Sequence, residues 1–228
     1  MSKLKLKVQE EFDRWSDQGR AESMARGHYA MTVQFLEGWI FKRDDFVLDI
    51  GCGNGWAVRE MLKRGAGKGY GLDLSPKMID RARALAGTKE EYIVASAENT
   101  TYHNNFFDKL LSIESLYYYE HPDLALKEWF RIAKQGAQIG IVIDLFKENE
   151  GSHPWVDALS IPVHLKGISE YIKLLEDSGW SNCRHQLLYD NRPLKGEKDF
   201  TPSTFWPSYR HYQLFKEQGS LALSAQKQ

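Results

Sequence analysis

The chain has 228 residues, 42% of them apolar, and a formal net charge of −1. That length suits one decorated α/β domain, the apolar content excludes a disordered chain, and the charge gives no global pull toward nucleic acid or an anionic membrane. Two cysteines make no disulfide scaffold, and no stretch has the length of a signal-peptide core or a membrane span, so a cytoplasmic protein is expected.

Residues 1 to 45 have helical spacing, with Val8, Phe12 and Trp15 on one face and Val33, Leu36 and Ile40 on another. Gly19 and Gly27 are expected to break this region into at least two short helices. Phe46 to Ile50 is a near-continuous apolar run that holds Asp49, the pattern of a buried parallel strand. Ala57, Val58, Met61 and Leu62 then mark a helix ending near Gly65. "KGYGLDLS" is the next strand. Ser75 follows as a helix cap with Pro76 at the first helical position.

"EYIVASA" and "DKLLSIES" are the third and fourth strands. Pro122 opens a helix expected to stop at Gly136, and "QIGIVIDLF" is the fifth strand. A long connection, 148–168, holds His153 and Trp155. A helix capped by Ser169 and stopped by Gly179 comes next. "CRHQLLY" and "SLALSA" are late strands, and the residues between them show no strong helical pattern. Strands alternating with helices predict an α/β fold. Its expected form is a doubly wound, mostly parallel, seven-stranded Rossmann-like sheet with an antiparallel last strand and an N-terminal helical lid. The whole chain, 1–228, is expected to be one domain: lid 1–45, cofactor-binding core 46–147, and acceptor-side connection with the last strands 148–228.

In such sheets ligands bind beyond the carboxyl ends of the strands. Asp49, Asp73, Ala97, Glu114 and Asp144 all lie at or near such ends. "VLDIGCGNG" runs from a strand into glycines at alternate positions, which lets a backbone turn sharply and approach a ligand at a helix N-terminus. Asp73 ends the following strand, where a carboxylate can accept two hydrogen bonds from a ribose diol. The acid-x-G-x-G-x-G order differs from the G-x-G-x-x-G of dinucleotide-binding folds.

"VLDIGCGNG", "GLDLSPKMI", "ASAENTTYHNNFFD" and "LALKEWFRIAKQGAQI" together resemble the class I S-adenosylmethionine (SAM)-dependent methyltransferases. The likeness is to the small-molecule, ubiquinone/menaquinone methyltransferase-like (methyltransferase type 11) branch, and it covers Phe46 to Leu145. It implies methyl transfer from SAM, with S-adenosylhomocysteine as product. Asp49 and the loop Gly51, Cys52, Gly53, Asn54 and Gly55 would hold the methionine part, and Asp73 the ribose. Leu74 and Met78 would pack near the adenine, with backbone contact from Ala97 beside Glu98. Ile113 would offer a carbonyl to the ammonium. Ser96 stands where the family often has an aspartate, and Thr101 and Tyr102 where it has a proline-aromatic pair. A nicotinamide-dependent oxidoreductase and a non-catalytic SAM-binding module are the alternative readings.

On the acceptor side, "SLYYYEHP" offers an aromatic wall that suits a sulfonium, with Tyr117 as a candidate catalytic residue. His153 is the other candidate, as a general base. His121 and the lid residues Arg20, His28 and Tyr29 are further possibilities for the pocket. No histidine or cysteine spacing fits a metal site. The expected partner is a small-molecule methyl acceptor, without nucleic acid; the sequence leaves its identity and the oligomeric state open.

Overall fold

A computed structural model describes residues 1–228. Five parallel strands form its centre: β1 (Phe46–Ile50), β2 (Lys68–Asp73), β3 (Glu90–Val94), β4 (Phe107–Ile113) and β5 (Ala133–Ile143). Two antiparallel strands, β6 (Ser181–Leu188) and β7 (Ser220–Gln226), complete a seven-stranded sheet of order β3-β2-β1-β4-β5-β7-β6. The chain reverses direction of travel across the sheet between β1 and β4. That is the switch point at which an α/β sheet leaves a crevice.

Both sheet faces are buried, which explains the unbroken apolar strands. Leu48 and Ile50 pack in the core beneath α5 (Pro122–Ile132) and α7 (Ile168–Asp177). Val47, one position out of phase, packs on the other face with Met31, Leu36 and Met61. Those residues come from α2 (Arg20–Leu36) and α3 (Trp56–Lys63). α1 (Lys3–Asp17) lies over α4 (Pro76–Ala84), where Trp15 packs with Met78.

The polar fastening of α1 to α4 is specific. Ser75 caps α4 by accepting from the Met78 N–H, and its own hydroxyl donates to Asp13 of α1 at 2.5 Å. Arg81 donates to the Ser16 carbonyl at 2.6 Å and pairs with Glu22 at 2.9 Å.

Several expected boundaries move. Gly19, with φ of 69°, separates α1 from α2, but Gly27 lies inside α2. α5 ends at Ile132 and passes directly into β5, so Gly136 is a positive-φ residue within the strand rather than a helix stop. The first turn of α7 is closed by Glu170, which accepts from the Gly167 N–H at 2.7 Å; the cap position is Gly167, not Ser169. The connection after β5 contains a short helix α6 (Trp155–Ala158). A further helix, α8 (Tyr209–Gln218), lies between the two late strands.

Candidate active site

The principal cavity opens at the carboxyl ends of β1, β2 and β4, beneath α1 and α2. Asp49, Gly51, Cys52, Gly53 and Asn54 line it from the loop after β1. Asp73, Leu74 and Met78 line it from the end of β2 and from α4. Ser96, Ala97, Glu98 and Ile113 line it from the ends of β3 and β4. One expected residue, Gly55, is outside the lining.

The three loop glycines do different work. A Cβ on Gly51 would sit 2.6 Å from Ser115 Cβ, and one on Gly55 would sit 2.4 Å from the Tyr92 hydroxyl. Gly53, with φ of 51°, has nothing within 4 Å of its Cβ position. All three have positive φ, but packing further demands glycine at the outer two positions, and only the middle one has open space where a Cβ would stand.

Asp73 organises that loop. One carboxylate oxygen accepts from the Gly53 N–H and the other from the Ser75 N–H, each at 2.9 Å. Each oxygen keeps a free lone pair. Burial raises the Asp73 pKa against those two hydrogen bonds. Asp49 has less support. It is 2% exposed, and its Oδ1 has no hydrogen-bond partner. Burial, with the nearby charge of Asp73, pushes its pKa up to about 8. An orphaned, buried carboxylate oxygen is costly unless a donor or cation arrives.

The adenine-side expectations are reshaped. The Ala97 carbonyl accepts from the Trp129 indole at 2.9 Å. Glu98 accepts from the His121 N–H at 3.0 Å and forms an ion pair with Lys5 of α1. Ser96 Oγ accepts from the Glu98 N–H at 3.3 Å.

Tyr117 does not line this cavity; Tyr118 and Tyr119 do. Strand alternation would have placed Tyr117 and Tyr119 together, but Leu116–Tyr118 is a 3₁₀ turn, which abolishes the two-residue period. The buried Tyr117 hydroxyl instead donates to Glu114 at 2.7 Å. Tyr119 donates to Ser115 Oγ at 2.8 Å, above Gly51. His153 also lies outside the lining: its Nε2 is 2.9 Å from the Lys147 carbonyl oxygen. Arg20 stacks over Trp15, 4.2 Å from the ring centroid, and Tyr29 reaches Glu60 at 3.5 Å.

Sequence reasoning did not assemble the cluster of His28, Glu114 and Asp144, whose ligand-type atoms lie within 4.8 Å of one another. His28 Nδ1 is 3.6 Å from Asp144 Oδ2. Burial works against a charged His28 ring, but the Asp144 hydrogen bond and the charges of Glu114 and Asp144 outweigh it and raise its pKa. Burial and Asp144 push Glu114 up to about 8. Glu114 has φ of 51°, an uncommon conformation for a non-glycine residue, and its carboxylate accepts from the Asp144 N–H. The backbone outlier at a cavity wall is a local sign of a functional constraint. From sequence, only the position of these carboxylates at strand ends was available.

A protein-family model for a methyltransferase domain matches residues 48–141. Residues 48–141 thus match a methyltransferase domain. The fold of the chain is that of the class I SAM-dependent methyltransferases. A Haloferax volcanii chain solved in complex with the Trm112 methyltransferase activator superposes with a TM-score of 0.88 at 27% identity, covering 95% of this chain and 97% of that one. The tocopherol O-methyltransferase of Arabidopsis thaliana is 34% identical over 181 residues, covering 71% of this chain and 48% of that protein. Cycloartenol-C-24-methyltransferase 1 of Oryza sativa subsp. japonica is 24% identical over 205 residues, covering 84% and 58%. The chain thus spans about half the length of the curated relatives it matches. No helix is long and apolar enough to cross a membrane.

Proposed function

We propose that this methyltransferase domain binds SAM in the principal cavity and methylates a small molecule. The observation that carries the reading is Asp49: a buried carboxylate oxygen without a partner, beside the open backbone of Gly53 and one strand from Asp73. SAM carries the groups that answer each feature: an ammonium for Asp49 and the Ile113 carbonyl, and a ribose diol for the free lone pairs of Asp73. Leu74 and Met78 offer an apolar wall to the adenine. When bound, SAM supplies an electrophilic methyl group on a sulfonium. The chain's own task is then to align the acceptor and exclude water, which α1 and α2 serve by covering the cavity.

Relatives that methylate tocopherol and cycloartenol support a small-molecule acceptor. Two unpaired cysteines support a reducing, cytoplasmic location. Thermal denaturation tests the cofactor. SAM and S-adenosylhomocysteine should each raise the midpoint by mass action, and NAD should not. A larger shift with NAD would overturn the reading.

A further inference from the structure

Beside the principal cavity lies a second one, formed by α2, α6, α8 and the residues that follow β6. The two cavities share one lining side chain, His28. Asp144 faces the second cavity next to His28, with its other oxygen accepting from Ser220. Another part of the lining is basic. Arg192 pairs with Asp190 at 2.8 Å, Lys216 pairs with the same carboxylate, and Lys195 adds a further cation. Two or more cations around one carboxylate leave this part net positive.

Other lining residues are aromatic. Trp155 has ring centroids 5.9 Å from Trp206 and 5.2 Å from Phe215. Trp155 is 9% exposed, and neither its indole N–H nor that of Trp206 has a hydrogen-bond partner. Buried indole donors normally find an acceptor. Here two such residues line one cavity that also holds cations.

We propose that the second cavity is the acceptor subsite and selects a planar aromatic acid, with its anionic group toward Arg192, Lys195 and Lys216 and its protic group toward His28 and Asp144. The inference rests on the methyl-transfer reading above. Aromatic walls suit a flat ring. The cluster of Arg192, Lys195 and Lys216 suits a carboxylate. Asp144 presents carboxylate oxygens to a hydroxyl or amine beside His28, the side chain shared with the cofactor cavity. An uncharged sterol would leave both indoles unpaired and would desolvate the cations without return, so this lining differs in kind from what a neutral lipid acceptor needs.

Titration of tryptophan fluorescence with 4-hydroxyphenylacetate and with its methyl ester tests the assignment, with and without S-adenosylhomocysteine. The acid should bind at least about tenfold more tightly than the ester, as expected for a charge-assisted hydrogen bond. Arg192→Gln combined with Lys195→Gln should erase that preference while leaving S-adenosylhomocysteine affinity unchanged. Both residues are exposed, so folding is retained. On binding the acid, the Trp155 and Trp206 indole proton resonances should move downfield. Equal or tighter binding of the ester, binding of neither probe, or a preference that survives the double variant overturns the proposal. Failure of S-adenosylhomocysteine to bind would instead count against the methyl-transfer reading, while the acid–ester comparison still decides the subsite.

Discussion

The principal cavity keeps its charges inside: Asp49 and Asp73 are 2% and 8% exposed, at adjacent strand ends. The second cavity is more open at its rim, with the Arg192 side chain 61% exposed, although Lys216 is only 19% exposed. Asp73 is held in place by backbone N–H groups, Asp49 is not, and burial raises the pKa of both. Exposed cations sit in water, where their attraction is screened. The first arrangement is preorganised for one ligand and costs stability while empty. The second costs little and tolerates exchange of residues.

The sharpest way to break this contrast is Asp73→Ala. It removes the charged acceptor offered to the ribose and leaves the Gly53 and Ser75 N–H groups unpaired. Hydrogen bonds to charged groups contribute about 1.5–3 kcal/mol each, so cofactor affinity should fall by at least about tenfold and thermal stability should fall with it. Unchanged S-adenosylhomocysteine affinity by calorimetry would remove Asp73 from the site.

Asp49→Asn should act in opposite directions on affinity and stability. The folded protein retains protons on Asp49 and Glu114 up to about pH 8, whereas the unfolded chain releases them near the ordinary values of 3.8 and 4.5. More protons bound to the folded state means that stability contributed by these groups declines as pH rises through that window. Asp49→Asn should therefore raise the ligand-free thermal midpoint near pH 8 and flatten its decline. It should also weaken cofactor binding and abolish the proton release that accompanies wild-type binding between about pH 5.5 and 7, measured by calorimetry in buffers of different ionisation enthalpy. A lower midpoint near pH 8 in the variant would contradict the assignment.

The smallest effect belongs to His153→Gln. The ring is bound to the Lys147 carbonyl and lines neither cavity, so turnover and cofactor affinity should change less than about twofold. A loss of about a hundredfold in turnover would restore it as a base.

The same contrast explains what could be read before the structure. Asp49, the glycine loop and Asp73 are encoded in short contiguous segments at consecutive strand ends, so their proximity follows from the parallel topology alone. Twelve of the thirteen cofactor positions expected from the sequence line the principal cavity; Gly55 supports it from behind, against Tyr92. The second cavity joins His28, Asp144, Trp155, Arg192 and Lys216, which no local period connects. Helix α8 was missed because its apolar residues, Tyr212 and Phe215, face a small aromatic cluster and none of the helix is fully buried. Tyr117 was misdirected by a strand period that the 3₁₀ turn ends.

The polar fastening of α1 to α4 has a kinetic consequence. Asp13, Ser16 and Glu22 hold the roof to Ser75 and Arg81, and Lys5 reaches across to Glu98. If SAM binds beneath that roof as proposed, parting of these contacts would widen its exit. Salt weakens the exposed Arg81–Glu22 bond more than it weakens the buried contacts beneath. Residence time of the spent cofactor should therefore shorten with ionic strength, which would make turnover at high acceptor concentration a measure of how fast the roof lifts.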